Sequence, residues 1–235
     1  MNEISRLRFL KFLLTGMVLE AGGFIRCFGS GDLRGDRVGW ERLKTTSPAW
    51  MRHADGDPTL MRFLREQTTL NIDPKWYVAD VQNLEQMCKY PLMFSQGVHV
   101  VQDTPGRANV AEYIRRGGFL LVDACCNREY TPSEDLFLQQ HKDFFAAALP
   151  EARIVPLPTD HEIYRCYFQI PNGHPPYTFF NAVYDAQKSR LGLYGIMIGQ
   201  RMAGLISLSG LQCGWDKMIA PPGHDVACMK MLVNI

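Results

Sequence analysis

Long apolar runs are missing from this 235-residue sequence. No segment approaches the roughly 18 apolar residues that a membrane-spanning helix needs, so no transmembrane segment is expected. Runs of like charge are missing as well. The formal net charge is +1 and no block of five like charges occurs, so the basic footprint that nucleic-acid binding requires is absent and no nucleic-acid partner is expected. Cysteine is present but unpatterned. The seven residues, at 27, 88, 125, 126, 166, 213 and 228, are odd in number and contain no CxxC pair, which excludes a disulfide framework and a zinc ribbon. A nucleotide loop is missing too. Gly29, Gly31 and Gly35 make G-x-G-x-x-x-G, one residue off the dinucleotide fingerprint, with no strand before it and no helix after it. No cofactor is expected from it.

What is present is a folded, globular composition, with 46% hydrophobic and 21% charged residues. Arg6, Arg8 and Lys11 precede the apolar Phe12 to Leu19, which reads like the charged and apolar regions of a secretory signal. Glu20 follows at once and no A-x-A cleavage site appears. Export to the periplasm is favoured over a cytoplasmic location. Residues 1–37 read as leader and linker, and 38–235 as a single α/β domain.

The organising stretch is Tyr113 to Cys126, YIRRGGFLLVDACC. It reads as a helix end, a two-glycine stop, a strand buried on both faces and a polar exit. Before it, Trp40 to Lys44, Asn71 to Ala79 and Tyr90 to Ser95 read as strands, and Asp103 with Thr104 caps a helix reaching Arg116. Asp57 is expected to cap a second helix with Pro58 in its first position. After it, Thr131 to Glu134 has the T-x-x-E pattern of a capping box, followed by a stripe of Leu136, Phe137, Phe144, Phe145 and Leu149. His141 on that helix reads as a solvated surface residue. Ile170 to Lys188 reads as an irregular excursion, and Gly192 to Ile198 with Met202 to Ser209 as a hairpin. A last helix begins near Asp225 and is still apolar at Ile235, so it reads as cut short.

In parallel sheets, ligands gather at the carboxyl ends of the strands. Four groups are expected at that edge: Gln96 and His99; Asp123, Cys125 and Cys126; Asp160 and His161; Cys213, Trp215, Asp216 and His224. His53 stands at the same level, between a strand and a helix. A nucleophilic thiol needs an imidazole beside it and a third group orienting that imidazole. Cys125 or Cys126 with His161 or His99 meets the need, with Asp160 or Asp123 as orienter. A metal site is disfavoured because adjacent cysteines diverge and no zinc-finger spacing occurs. A plain binding crevice floored by Trp215 needs no unusual chemistry.

RRGGFLLVDACC, DHEIY and GLQCGWD together resemble the bacterial domain-of-unknown-function family 4159, from about Val38 to Ile235. The resemblance implies a fold similar to the class I glutamine amidotransferase domain: a flavodoxin-like, three-layer α/β sandwich with a mostly parallel sheet and a C-terminal antiparallel hairpin. It implies no activity. That superfamily carries a nucleophilic cysteine on a tight strand-to-helix turn, where Cys125 or Cys126 would stand. The G-x-C-x-G elbow and the partner H-x-E are both absent, and His161-Glu162 reads H-E. The sequence therefore points to a binding or assembly module for a small molecule or protein. The alternative is an amidase-like cysteine hydrolase using Cys125 or Cys126 with His161. His99, Asp123, Asp160, Cys213, Trp215 and Asp216 are the expected ligand-binding residues.

Overall fold

The structure, a computed structural model, describes residues 37–125, 127, 129–170, 192–216 and 223–235. The leader, the glycine-rich linker, Cys126 and nearly all of the expected excursion lie outside the described residues.

Seven strands make one sheet in the order β2-β1-β3-β4-β7-β6-β5. They are β1 (Val38–Lys44), β2 (Ile72–Asp80), β3 (Leu92–Ser95), β4 (Phe119–Asp123), β5 (Ala152–Pro156), β6 (Leu193–Ile198) and β7 (Arg201–Ser207). Every pairing from β2 across to β7 is parallel, while β7 with β6 and β6 with β5 are antiparallel. The expected mostly parallel sheet with a C-terminal hairpin is what forms. Its first four positions follow the doubly wound order, in which the chain runs outward from β1 to β2 and returns to β3, and β7 takes the fifth. That reversal opens a crevice between the ends of β1 and β3.

Strand alternation divides the buried side chains into two cores. Leu43, Met93, Leu120, Val122 and Ala203 pack on one face beneath α2 (Leu84–Met87), α3 (Thr104–Arg115) and α4 (Glu134–Ala148). Trp40, Phe94, Leu121 and Leu205 pack on the other beneath α1 (Asp57–Gln67), α5 (Leu211–Trp215) and α6 (His224–Asn234). Helices on both faces make this a three-layer α/β sandwich. No described helix is long and apolar enough to cross a membrane.

The stop after α3 works as its glycines require. Gly117 adopts φ 99°, and a Cβ on Gly118 would come within 2.5 Å of the Tyr113 ring. Asp103 caps α3 by accepting from the Gly106 amide at 2.7 Å. Two expected caps are different. At α4 the cap is Ser133, whose hydroxyl accepts from Leu136 N at 3.1 Å, while Thr131 is buried upstream. At α1 the N-cap is Gly56, and Asp57 forms an ion pair within the core. A strongly basic partner outcompetes orphan amides for a buried carboxylate.

The expected stripe of α4 also shifts. Leu136 is 45% exposed, whereas His141 is fully buried. His141 lies four residues after Phe137 and so shares its inward face. Its Nδ1 donates to the Phe137 carbonyl at 2.7 Å, and burial pushes its pKa down to about 3. It is a neutral core histidine.

Candidate functional site

β4 ends in Asp123 and Cys125 follows it by two residues; both face α5 (Leu211–Trp215), Asp123 through Gln212 N and Cys125 through Cys213 Sγ. Both are buried, Cys125 at 2% exposure and Asp123 at none. Asp123 Oδ2 accepts from Gln212 N at 2.8 Å, at the start of α5. Burial raises the Asp123 pKa to about 7, against the lowering effect of its hydrogen bonds from Gln212, Ser207 and Leu211. The carboxyl group thus tethers α5 to the end of β4, and α5 carries Cys213 and leads into Asp216.

A second anchor works from β1. Arg42 is fully buried and grips Asp57 twice, Nε to Oδ2 at 2.5 Å and Nη2 to Oδ1 at 2.7 Å. Its Nη1 donates to the carbonyls of Trp50 and Arg52, both at 3.0 Å. Trp40 Nε1 adds a third donor to Asp57 at 3.0 Å. Gln212 Nε2 donates to the Arg52 carbonyl at 2.9 Å, joining this loop to α5. The loop after β1 is therefore pinned from two sides just before His53. His53 has φ 54°, the one left-handed non-glycine residue among those described. Such a conformation costs on the order of 1 kcal/mol and persists only where the surroundings enforce it.

The result is a linear relay. His53 Nε2 lies 3.6 Å from Cys125 Sγ, and His53 Nδ1 lies 2.7 Å from Asp216 Oδ2. The carboxylate accepts a hydrogen bond from Nδ1–H, which leaves Nε2 to exchange a proton with the sulfur. The His53 pKa is raised, chiefly by the hydrogen bond with Cys125, with burial opposing and Asp216 adding to the rise. Close approach of Asp216 depends on Gly56, where a Cβ would meet Asp216 Cα at 2.9 Å. Cys213 Sγ lies 3.9 Å from Cys125 Sγ.

Beside Cys125 is a cavity of about 80 Å³ at the β1/β3 reversal, walled by Thr45, Ser47, Ser95, Gln96, His99 and Thr131 among others. Gln96 donates its amide N–H to Gln212 Oε1, so its own Oε1 is the atom left over. Gln96 Oε1 and Thr131 Oγ1 are buried with no hydrogen-bond partner among the described residues. The two side chains line the cavity, while these two atoms are themselves enclosed.

A model of the domain of unknown function DUF4159 matches residues 41–235. The chain belongs to the DUF4159 family. No curated protein matches it.

In this DUF4159 chain the expected site residues divide into three groups. Cys125, Cys213 and Asp216 come together, with Asp123 beneath them and His99 across the cavity. Trp215 is fully buried against Trp40 and Phe94, part of the core rather than a wall of the cavity. Asp160 is exposed, and His161 caps the turn Glu162–Tyr164 by accepting from Ile163 N at 3.2 Å. That turn follows β5, with β6 and β7 between it and β4. The histidine that reaches Cys125 is therefore His53 and not His161. Its signal in the sequence was position: it follows β1, which the doubly wound order sets close to β4.

Proposed function

We propose that this domain is an amidase-like thiol hydrolase in which Cys125 is the nucleophile, His53 the base and Asp216 the orienting group. The observation that carries the reading is the Cys125–His53–Asp216 relay with its two contacts of 3.6 and 2.7 Å. A thiol, an imidazole and an orienting carboxylate in this sequence are what nucleophilic catalysis needs. Cys125 Sγ attacks the substrate carbonyl carbon as its proton passes to His53 Nε2. His53 then returns that proton to the departing amine. Water, deprotonated by the same nitrogen, releases the acid and restores the thiol. Asp216 supports the imidazolium throughout and receives no proton itself.

The cavity beside Cys125 is bordered by the polar side chains of Thr45, Ser47, Ser95, Gln96 and Thr131, which suit a small polar group. The placement of Cys125 just after a parallel strand is also what the resemblance to class I glutamine amidotransferases implies for a nucleophile. A binding or assembly module would account for the cavity. It leaves the aligned relay without a purpose.

Mild alkylation read by mass spectrometry tests the reading. Cys125 should react faster than Cys88 near pH 7, and His53→Ala should slow it by ~10²-fold or more. A Cys125 no faster than Cys88, or indifferent to His53→Ala, ends the proposal.

A further inference from the structure

A ring nitrogen of His53, Cys125 Sγ and Cys213 Sγ all lie within 4.8 Å of one another. In a tetrahedral zinc centre with bonds of about 2.3 Å to sulfur and 2.0–2.1 Å to nitrogen, ligand atoms are about 3.8 Å apart for two sulfurs and about 3.6 Å for nitrogen and sulfur. The observed separations are 3.9 Å between the sulfurs and 3.6 Å from His53 to Cys125. Two edges of the tetrahedron are therefore already formed. The three ligands come from the loop after β1, the end of β4 and helix α5, so the rigid sheet sets their spacing.

A second observation concerns His53 itself. A zinc-bound histidine generally donates its other N–H to a carboxylate, which fixes the tautomer and raises the basicity of the ligating nitrogen. Asp216 provides this at 2.7 Å on Nδ1, so Nε2 turns its lone pair toward Cys125 Sγ, 3.6 Å away. Three protein ligands leave one tetrahedral position open, as in catalytic rather than structural zinc sites. Cys125 borders the cavity, so a fourth ligand from that side is water or a small anion.

We propose that His53, Cys125 and Cys213 form a Zn²⁺ site of the Cys₂His type, with its fourth position open to solvent or a small ligand. This goes beyond the thiol reading, since it requires no attack by Cys125 on anything. It also constrains that reading: one sulfur cannot bind zinc and attack a carbonyl at once, so the thiol chemistry belongs to the metal-free protein and Zn²⁺ blocks it. Cys213 loses its thiol proton on binding, and the Cys125–His53 pair loses the one proton it shares. Two protons therefore leave per Zn²⁺, whichever member of the pair carried the shared one.

The test uses metal-free full-length protein titrated with Zn²⁺ against a chromophoric chelator, and separately with Co²⁺. One metal per chain is expected, with about two protons released per Zn²⁺. Co²⁺ should give a thiolate-to-metal charge-transfer band and the intense visible bands of a tetrahedral centre. Cys213→Ala should weaken Zn²⁺ binding by at least ~100-fold, and Asp216→Asn by ~10- to 100-fold. Absence of one-to-one binding, a pale six-coordinate cobalt spectrum, or a Cys213→Ala variant that binds like the parent overturns the proposal. If Cys213→Ala does not fold, the cobalt spectrum and proton count of the parent decide. Fast alkylation of Cys125 without zinc binding removes only the metal site. Zinc binding with sluggish alkylation of the metal-free protein removes only the thiol reading.

Discussion

Asp216 Oδ2 accepts a hydrogen bond from His53 Nδ1 at 2.7 Å, across 163 residues of chain. Neither residue is held by its neighbours in sequence alone. Asp216 ends a five-residue helix tethered to β4 through Asp123, and His53 sits in a left-handed conformation that Arg42 and Gln212 hold from either side. The contact is the point where two anchoring systems meet. It decides which nitrogen of His53 faces Cys125.

Asp216→Asn tests that contact through its pH dependence. The His53 pKa is raised above 6.5 in the folded protein, so its contribution to stability is fully present below about pH 6.5 and is lost as pH rises through the folded value. Asp216→Asn should therefore cost more at pH 6 than at pH 9, by ~1 kcal/mol. Chemical denaturation at the two pH values measures it, and an equal loss at both contradicts the assignment.

Arg42→Met should be among the most damaging single changes. Arg42 and Asp57 have no exposed side-chain surface, so removing the guanidinium leaves a buried carboxylate without its cation. A cost of ~3–5 kcal/mol follows from breaking such a pair. The Trp50 and Arg52 carbonyls lose their donor as well, which frees the loop that carries His53. Urea denaturation should show the loss, and the His53-dependent reactivity of Cys125 should fall with it. A loss under ~1 kcal/mol would mean that the pair is not buried as described.

Glu41→Gln should stabilise the protein at alkaline pH. Glu41 is fully buried, neither carboxyl oxygen has a hydrogen-bond partner among the described residues, and burial raises its pKa to about 10 against a lowering effect from Lys89. For an acid raised in the folded state, stability declines as pH climbs from the unfolded value near 4.5 toward 10. The glutamine cannot ionise, so its advantage should be on the order of 2–4 kcal/mol at pH 8 and vanish near pH 4. Thermal melts across that range check it. A difference independent of pH would show that Glu41 does not titrate with folding.

Local patterns were legible wherever chemistry is local. The cap at Asp103, the stop at Gly117, the strand at Trp40 to Lys44 and the hairpin of β6 and β7 each depend on a few adjacent residues. His141 was misread because the composition around it is polar, whereas its spacing from Phe137 puts it on the inward face. Asp57 has the form of a cap in sequence. Its role is set by Arg42, 15 residues upstream on a neighbouring strand.

By itself the sequence determined where the strands and the four longer helices fall, the two-faced burial of β4 and the delivery of Asp123 and Cys125 to the carboxyl edge, but not the short helix α5 that carries Cys213. Backbone geometry makes those consequences of short-range pattern. The tertiary structure decided which histidine serves that edge. His161 follows β5, which lies at the far side of the antiparallel hairpin, while His53 follows β1, and the reversal between β1 and β3 folds its loop toward Cys125. No spacing along the chain encodes that choice, because it arises from strand order and from a buried ion pair that holds one loop in place.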